Sequence, residues 1–157
     1  MSRPVDCSYD KRSAGCSDFS PKNVMYAGWV GDDDSTFNGL RAAVSKLIYS
    51  AWDGYSSFGM DIGGYRNVED GINKRILIRW AQIGAFMGLM ENGGDGDHRP
   101  WTYGADCTAI YKTFAIEHHR IAPLLQTASE KAMERSLSLI QPVMKRDDEM
   151  MKRPYPA

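Results

Sequence analysis

Apolar residues in this chain come in short runs that alternate with longer stretches at helical spacing. Residues 1–21 are polar, Ser-rich and broken by Pro and Gly, and read as a loop. Val24, Met25, Tyr26 and Ala27 form the first apolar run, which stops at Gly28 ahead of Trp29 and the acidic triplet Asp32, Asp33 and Asp34. A buried strand that ends in a polar loop fits this pattern. Leu40, Val44, Leu47, Ile48 and Ala51 then recur as one face of a helix, with Asp34 or Ser35 placed to cap its first turn. The arrangement repeats: a second run over residues 55–60 stops at Asp61 and the pair Gly63 and Gly64. A helix over 68–84 follows, with Ile72, Ile76, Trp80 and Ile83 on one side and Trp80 read as core. Residues 86–90 predict a third strand, which feeds a Gly-rich loop over 91–99. Residues 108–136 predict a long helix with Ile110, Phe114, His118, Ile121, Leu125 and Ala128 on one stripe, kinked or divided at Pro123. A fourth strand is expected over 137–143, and the charged, Met-rich tail 145–157 is expected to fray, leaving one unit over 1–144.

Strands that alternate with helices of this length imply parallel strands joined by right-handed crossovers, so the fold class is α/β. The acidic and glycine-rich loops follow the strands, which is where parallel-sheet enzymes keep their chemistry. A closed (β/α)8 barrel needs about 250 residues. With 157 residues the chain is expected to supply about half of one.

Composition narrows the function classes. Nineteen Lys and Arg against twenty Asp and Glu give a formal net charge of −1, and no global field favours nucleic acid or an anionic membrane. No uninterrupted apolar stretch approaches the roughly 18 residues of a membrane span, and the first residues lack the apolar stretch of a secretory signal, so the cytoplasm is the default compartment. Cys7, Cys16 and Cys107 make an odd count without CxxC spacing and are read as free thiols, with a Cys7 to Cys16 bridge open in an oxidising compartment. The run from Asp32 to Gly39 fails as a calcium loop, because Phe37 stands where glycine is required and Ala43 where glutamate is required. Gly59, Gly63 and Gly64 do not fit a dinucleotide fingerprint. His118 and His119 are adjacent on a helix and point about 100° apart, which suits packing and capping better than metal chelation.

Three blocks carry a more specific signal: GWVGDDDSTFNGL over 28–40, FGMDIGGYR over 58–66 and IRWAQIGAF over 78–86. In this order and spacing they resemble the second half of the catalytic barrel of glycoside hydrolase family 31, the α-glucosidase and α-xylosidase family. The continuation MENGGDGDHRPW over 90–101 resembles a variant of that family's next loop, and the resemblance runs from about Arg3 to Val143. It implies a retaining α-glycosidase, with Asp32 in the place of the general acid/base and Trp29 in that of the tryptophan lining the sugar pocket. Asp61 matches an aspartate that helps form the pocket, and Arg3 matches an arginine that contacts sugar hydroxyls. The implied partner is a carbohydrate, an α-glycoside. Neither a metal nor an organic cofactor is implied, because two carboxyl groups suffice for the reaction.

Two departures bear on the transfer. Many members carry Arg-Asn-His where this chain has Glu91, Asn92 and Gly93, and the usual proline before that loop is Gly88. His98 either reaches back to the place of the missing histidine or sits at the surface. Trp101, after Pro100, serves either as a sugar platform or as packing. The partner carboxylate, the nucleophile, lies upstream in the family, and no segment here resembles its motif. The isolated chain is therefore expected to be inactive and to self-associate through exposed half-barrel edges. The reading from another class is a non-catalytic carbohydrate-binding or interaction remnant of such an enzyme.

Overall fold

The computed structural model describes residues 27–141, apart from positions 53, 69 and 136. Arg3, Cys7, Cys16, the expected strand residues Val24 to Tyr26, the tail 145–157 and the proposed domain limits at 1 and 144 lie outside the described residues. Three strands, β1 (Gly28–Trp29), β2 (Phe58–Asp61) and β3 (Leu89–Glu91), form one sheet in the order β1-β2-β3, with both pairings parallel. The crossovers are α1 (Phe37–Trp52) and α2 (Lys74–Gly84); α3 (Ala105–Glu134) follows β3 through a single 3-10 turn, Pro100–Tyr103. The expected α/β class with parallel strands is met.

The core lies between the sheet and the helices. Val30, Phe58, Met60 and Ile62 pack with Leu40, Ala43 and Leu47 of α1 and with Ile76, Leu77 and Trp80 of α2. Trp80 is completely buried, as its place on the helical stripe predicted. Alternation along each strand then fixes the two faces. Met60 and Met90 are register partners, and Met90 and Ile62 lie against Gly84 of α2. Gly59 and Asp61 therefore face away from α2, together with their partners Trp29, Leu89 and Glu91.

Several element boundaries differ from the sequence reading. The described first strand is Gly28–Trp29, past the expected 24–27, because Gly28 pairs with Phe58 instead of ending the strand. The third strand begins at Leu89, after a turn that leaves Phe86 half exposed. The second helix starts at Lys74 instead of Val68. Gly71, at φ +71°, completes a turn closed by its amide to the Val68 carbonyl, and the Asn73 side chain then accepts from the amides of Arg75 and Ile76. Such an N-cap contributes about 1 kcal/mol. The long helix runs unbroken through Pro123. Residues 137–141 form no strand; a single backbone bond links the Leu139 amide to the Ser56 carbonyl. Helix caps also differ, because α1 is capped by the Thr36 hydroxyl, which accepts from the Gly39 amide, and not by Asp34 or Ser35. His118 does cap, as expected: its Nδ1 donates to the carbonyl of Ala85 at the C-terminus of α2, at 2.9 Å. Cys107 is a buried free thiol.

Candidate active site

The loop after β1 is bound from several sides. Gly31 takes a φ of +94°, and the Asp33 carbonyl accepts from the amides of both Tyr65 and Arg66, which follow the glycine pair Gly63 and Gly64. The Ser35 amide returns a bond to the Arg66 carbonyl at 2.8 Å. Gly64 is needed here twice over. Its φ of +84° is costly for a residue with a side chain, and an added Cβ would come 2.8 Å from the Asp34 carbonyl oxygen. From the other side, Gly39 of α1 lies so close that a Cβ there would collide with the same Asp34 oxygen. Two glycines thus clamp the acidic loop against the tip of β2.

The three acids of that loop divide by environment. Asp33 is buried, at 5% exposure, and its Oδ1 lies 2.6 Å from the ammonium of Lys46 on α1. Burial raises its pKa above the usual carboxylate range, and Lys46 opposes the rise. Asp34 pairs with Arg66, whose Nε lies 2.8 Å from Oδ1. Both acids hold the loop through side-chain ion pairs. Asp32 is half-buried, three residues after the end of β1. Asp61 closes β2 and is buried at 4% exposure, on the same face of the sheet as half-buried Trp29.

The glycine-rich loop after β3 folds back over the tip of β2. The Asp95 amide donates to the Tyr65 carbonyl at 2.8 Å, and the Tyr103 hydroxyl donates to the Asp97 carbonyl at 2.6 Å. His98 is buried at 8% exposure, with Nδ1 donating to the Ile62 carbonyl at 2.9 Å. Its Nε2 has no hydrogen-bond partner among the described residues. His98 is thus no surface residue. Trp101 is 64% exposed on the 3-10 turn. Among the described residues no group of three or more His, Cys, Asp and Glu is placed to hold a metal ion, and no helix is long and apolar enough to cross a membrane.

Asp61 and Glu91 end neighbouring parallel strands on the sheet face that carries Trp29, the layout expected of the barrel suggested by the motifs. A family model described as the glycosyl hydrolases family 31 TIM-barrel domain matches residues 18–128. The chain belongs to glycosyl hydrolase family 31. Alpha-glucosidase 2 of Bacillus thermoamyloliquefaciens is 27% identical over 128 residues, covering 80% of this chain and 16% of the relative. The 1,3-alpha-isomaltosidase of Kribbella flavida is 26% identical over 168 residues, covering 92% of this chain and 23% of its own length. A family 31 alpha-xylosidase from a soil metagenome, solved with xylose, superposes with a TM-score of 0.63 at 24% identity, over 73% of this chain and 20% of that one. The chain therefore spans less than a quarter of each of these family 31 proteins.

Sequence reasoning missed Lys46 and treated Glu91 solely as a departure from the family. Replacing Lys46 by Met is expected to lower stability by about 2 kcal/mol near neutral pH, because the buried Asp33 carboxylate loses its cation. The sign with pH follows from the raised pKa: the native state binds the Asp33 proton more tightly than the unfolded chain, so this group favours folding at low pH and less as pH rises from 3.8 through its folded value. The loss in Lys46→Met should therefore shrink on acidification toward about pH 4, as read from urea unfolding at the two pH values.

Proposed function

We propose that this family 31 chain carries the acid/base half of a retaining α-glycosidase site, in a partial (β/α)8 barrel corresponding to its last strands. The observation that carries the reading is the acidic loop at the carboxyl end of β1. Asp32 stands in the family's acid/base place, three residues after Trp29 in the sequence, and the loop that carries it is held by the Asp33–Lys46 and Asp34–Arg66 pairs.

In the first step Asp32 protonates the departing glycosidic oxygen while a carboxylate nucleophile traps the sugar carbon; in the second Asp32 takes a proton from the attacking water. The nucleophile is proposed to come from an upstream barrel half. Trp29 forms the apolar wall of the sugar pocket, Asp61 and Arg3 receive and supply hydrogen bonds to its hydroxyls, and His98 offers Nε2 as a further polar contact. This fits the names of the two relatives, an alpha-glucosidase and a 1,3-alpha-isomaltosidase.

The full chain alone is expected to show little or no turnover of aryl α-glycosides, and to gain turnover when joined to an upstream barrel half that supplies the nucleophile. Robust turnover by the chain alone would show that it is competent without that half. Failure of every such joined barrel would favour the non-catalytic carbohydrate-binding remnant. The described sheet has unpaired outer edges at β1 and β3, which is the basis for proposing self-association, to be read from its size in solution.

A further inference from the structure

Near the strand tips Asp33, Asp34 and Asp97 pair with Lys46, Arg66 and Arg99. Glu91 closes β3, in register with Asp61, and its main-chain carbonyl accepts from the Ile62 amide at 2.8 Å. Its side chain is half-buried, and Oε2 is shielded from solvent without a hydrogen-bond partner among the described residues. A shielded carboxylate oxygen that accepts nothing is unfavourable. Here it stands on the face that carries Trp29 and Asp61, away from the helix layer. Many family members place an arginine at this point, so the local charge is reversed.

We infer that Glu91 is a specificity-determining residue of the sugar site: its carboxylate, set beside Asp61, accepts a hydrogen bond from a hydroxyl of a neutral sugar and turns away sugars that bear an acidic group. Strands in one sheet lie about 4.8 Å apart, so the two carboxyl groups start from neighbouring positions on one face. A neutral sugar brings hydroxyl donors to both. A uronic acid would bring a third negative charge into a partly desolvated site, where like charges are poorly screened. The inference rests on the proposed sugar site, and it adds a selection that the family resemblance does not supply.

The test uses the full chain and two probes that differ by one group, methyl α-glucoside and methyl α-glucuronide, with binding followed by calorimetry or by tryptophan fluorescence. The unaltered chain should favour the neutral glycoside by roughly tenfold or more. Glu91→Gln should bring the two affinities to within about threefold, and Glu91→Arg should reverse the preference. Far-ultraviolet circular dichroism of each variant reports folding, and the Gln variant alone decides the matter if the Arg variant does not fold. A preference unchanged in Glu91→Gln, with the neutral glycoside still bound, overturns the role of Glu91. Absence of binding of either probe to the unaltered chain overturns the sugar site itself, and the inference with it.

Discussion

In a barrel completed by an upstream nucleophile, Asp32→Asn is expected to lower kcat/KM toward α-glycosides with poor leaving groups by about 10²–10⁴-fold. The size follows from what the amide cannot do: it neither protonates the departing oxygen nor accepts a proton from water. A strongly acidic phenol as leaving group separates the two roles. Such a phenolate departs without a proton, so kcat/KM, which reports the first step, should be largely spared. Release of the sugar from the enzyme still requires a base, so kcat should fall and the glycosyl-enzyme should accumulate. Asp33→Asn and Asp34→Asn are the controls, because their carboxyls are bound to Lys46 and Arg66. A loss in Asp33→Asn that matches this pattern, with Asp32→Asn fully active, would move the acid/base assignment one residue along the loop.

This prediction draws on the part of the chain that was most legible beforehand. Short apolar runs ending in acids and glycines, alternating with helices, indicated parallel strands, and the sheet is parallel. Boundaries were less legible, for a physical reason visible at Gly28. That glycine was read as the end of a strand, yet it is paired with Phe58 inside one. Backbone pairing of that kind leaves no trace in hydropathy. The turn before α2 was absorbed into the helix because Val68 and Ile72 sit at helical spacing, while Gly71 and the Asn73 cap set the true start.

The site shows the same division. The partners of Asp33 and Asp34 are 13 and 32 residues away, at Lys46 on α1 and Arg66 beyond β2, and only the fold brings them together. The tie from His98 to the Ile62 carbonyl spans 36 residues and was equally hidden. Glu91 differs again. Its identity was plain in the sequence, whereas its alignment with Asp61 depends on strand register, which a one-residue slip would have reversed.

Gly64→Ala is expected to lower stability by about 3 kcal/mol. Two costs combine. The left-handed φ of +84° disfavours any Cβ by roughly 1–2 kcal/mol. The new methyl, 2.8 Å from both the Asp34 carbonyl oxygen and the Ser35 Cα, must also push backbone aside, at about 1–3 kcal/mol. Gly39→Ala is the sharper comparison, because helix propensity alone favours alanine by about 1 kcal/mol at that position in α1. Collision with the Asp34 carbonyl should outweigh that gain, so this substitution too should destabilise, by about 1 kcal/mol. Denaturant unfolding reads both signs. A Gly39→Ala variant more stable than the parent would mean that the acid loop yields to α1 without cost. The clamp would then be loose, and the loop would lack the rigidity that the proton transfer proposed for Asp32 demands.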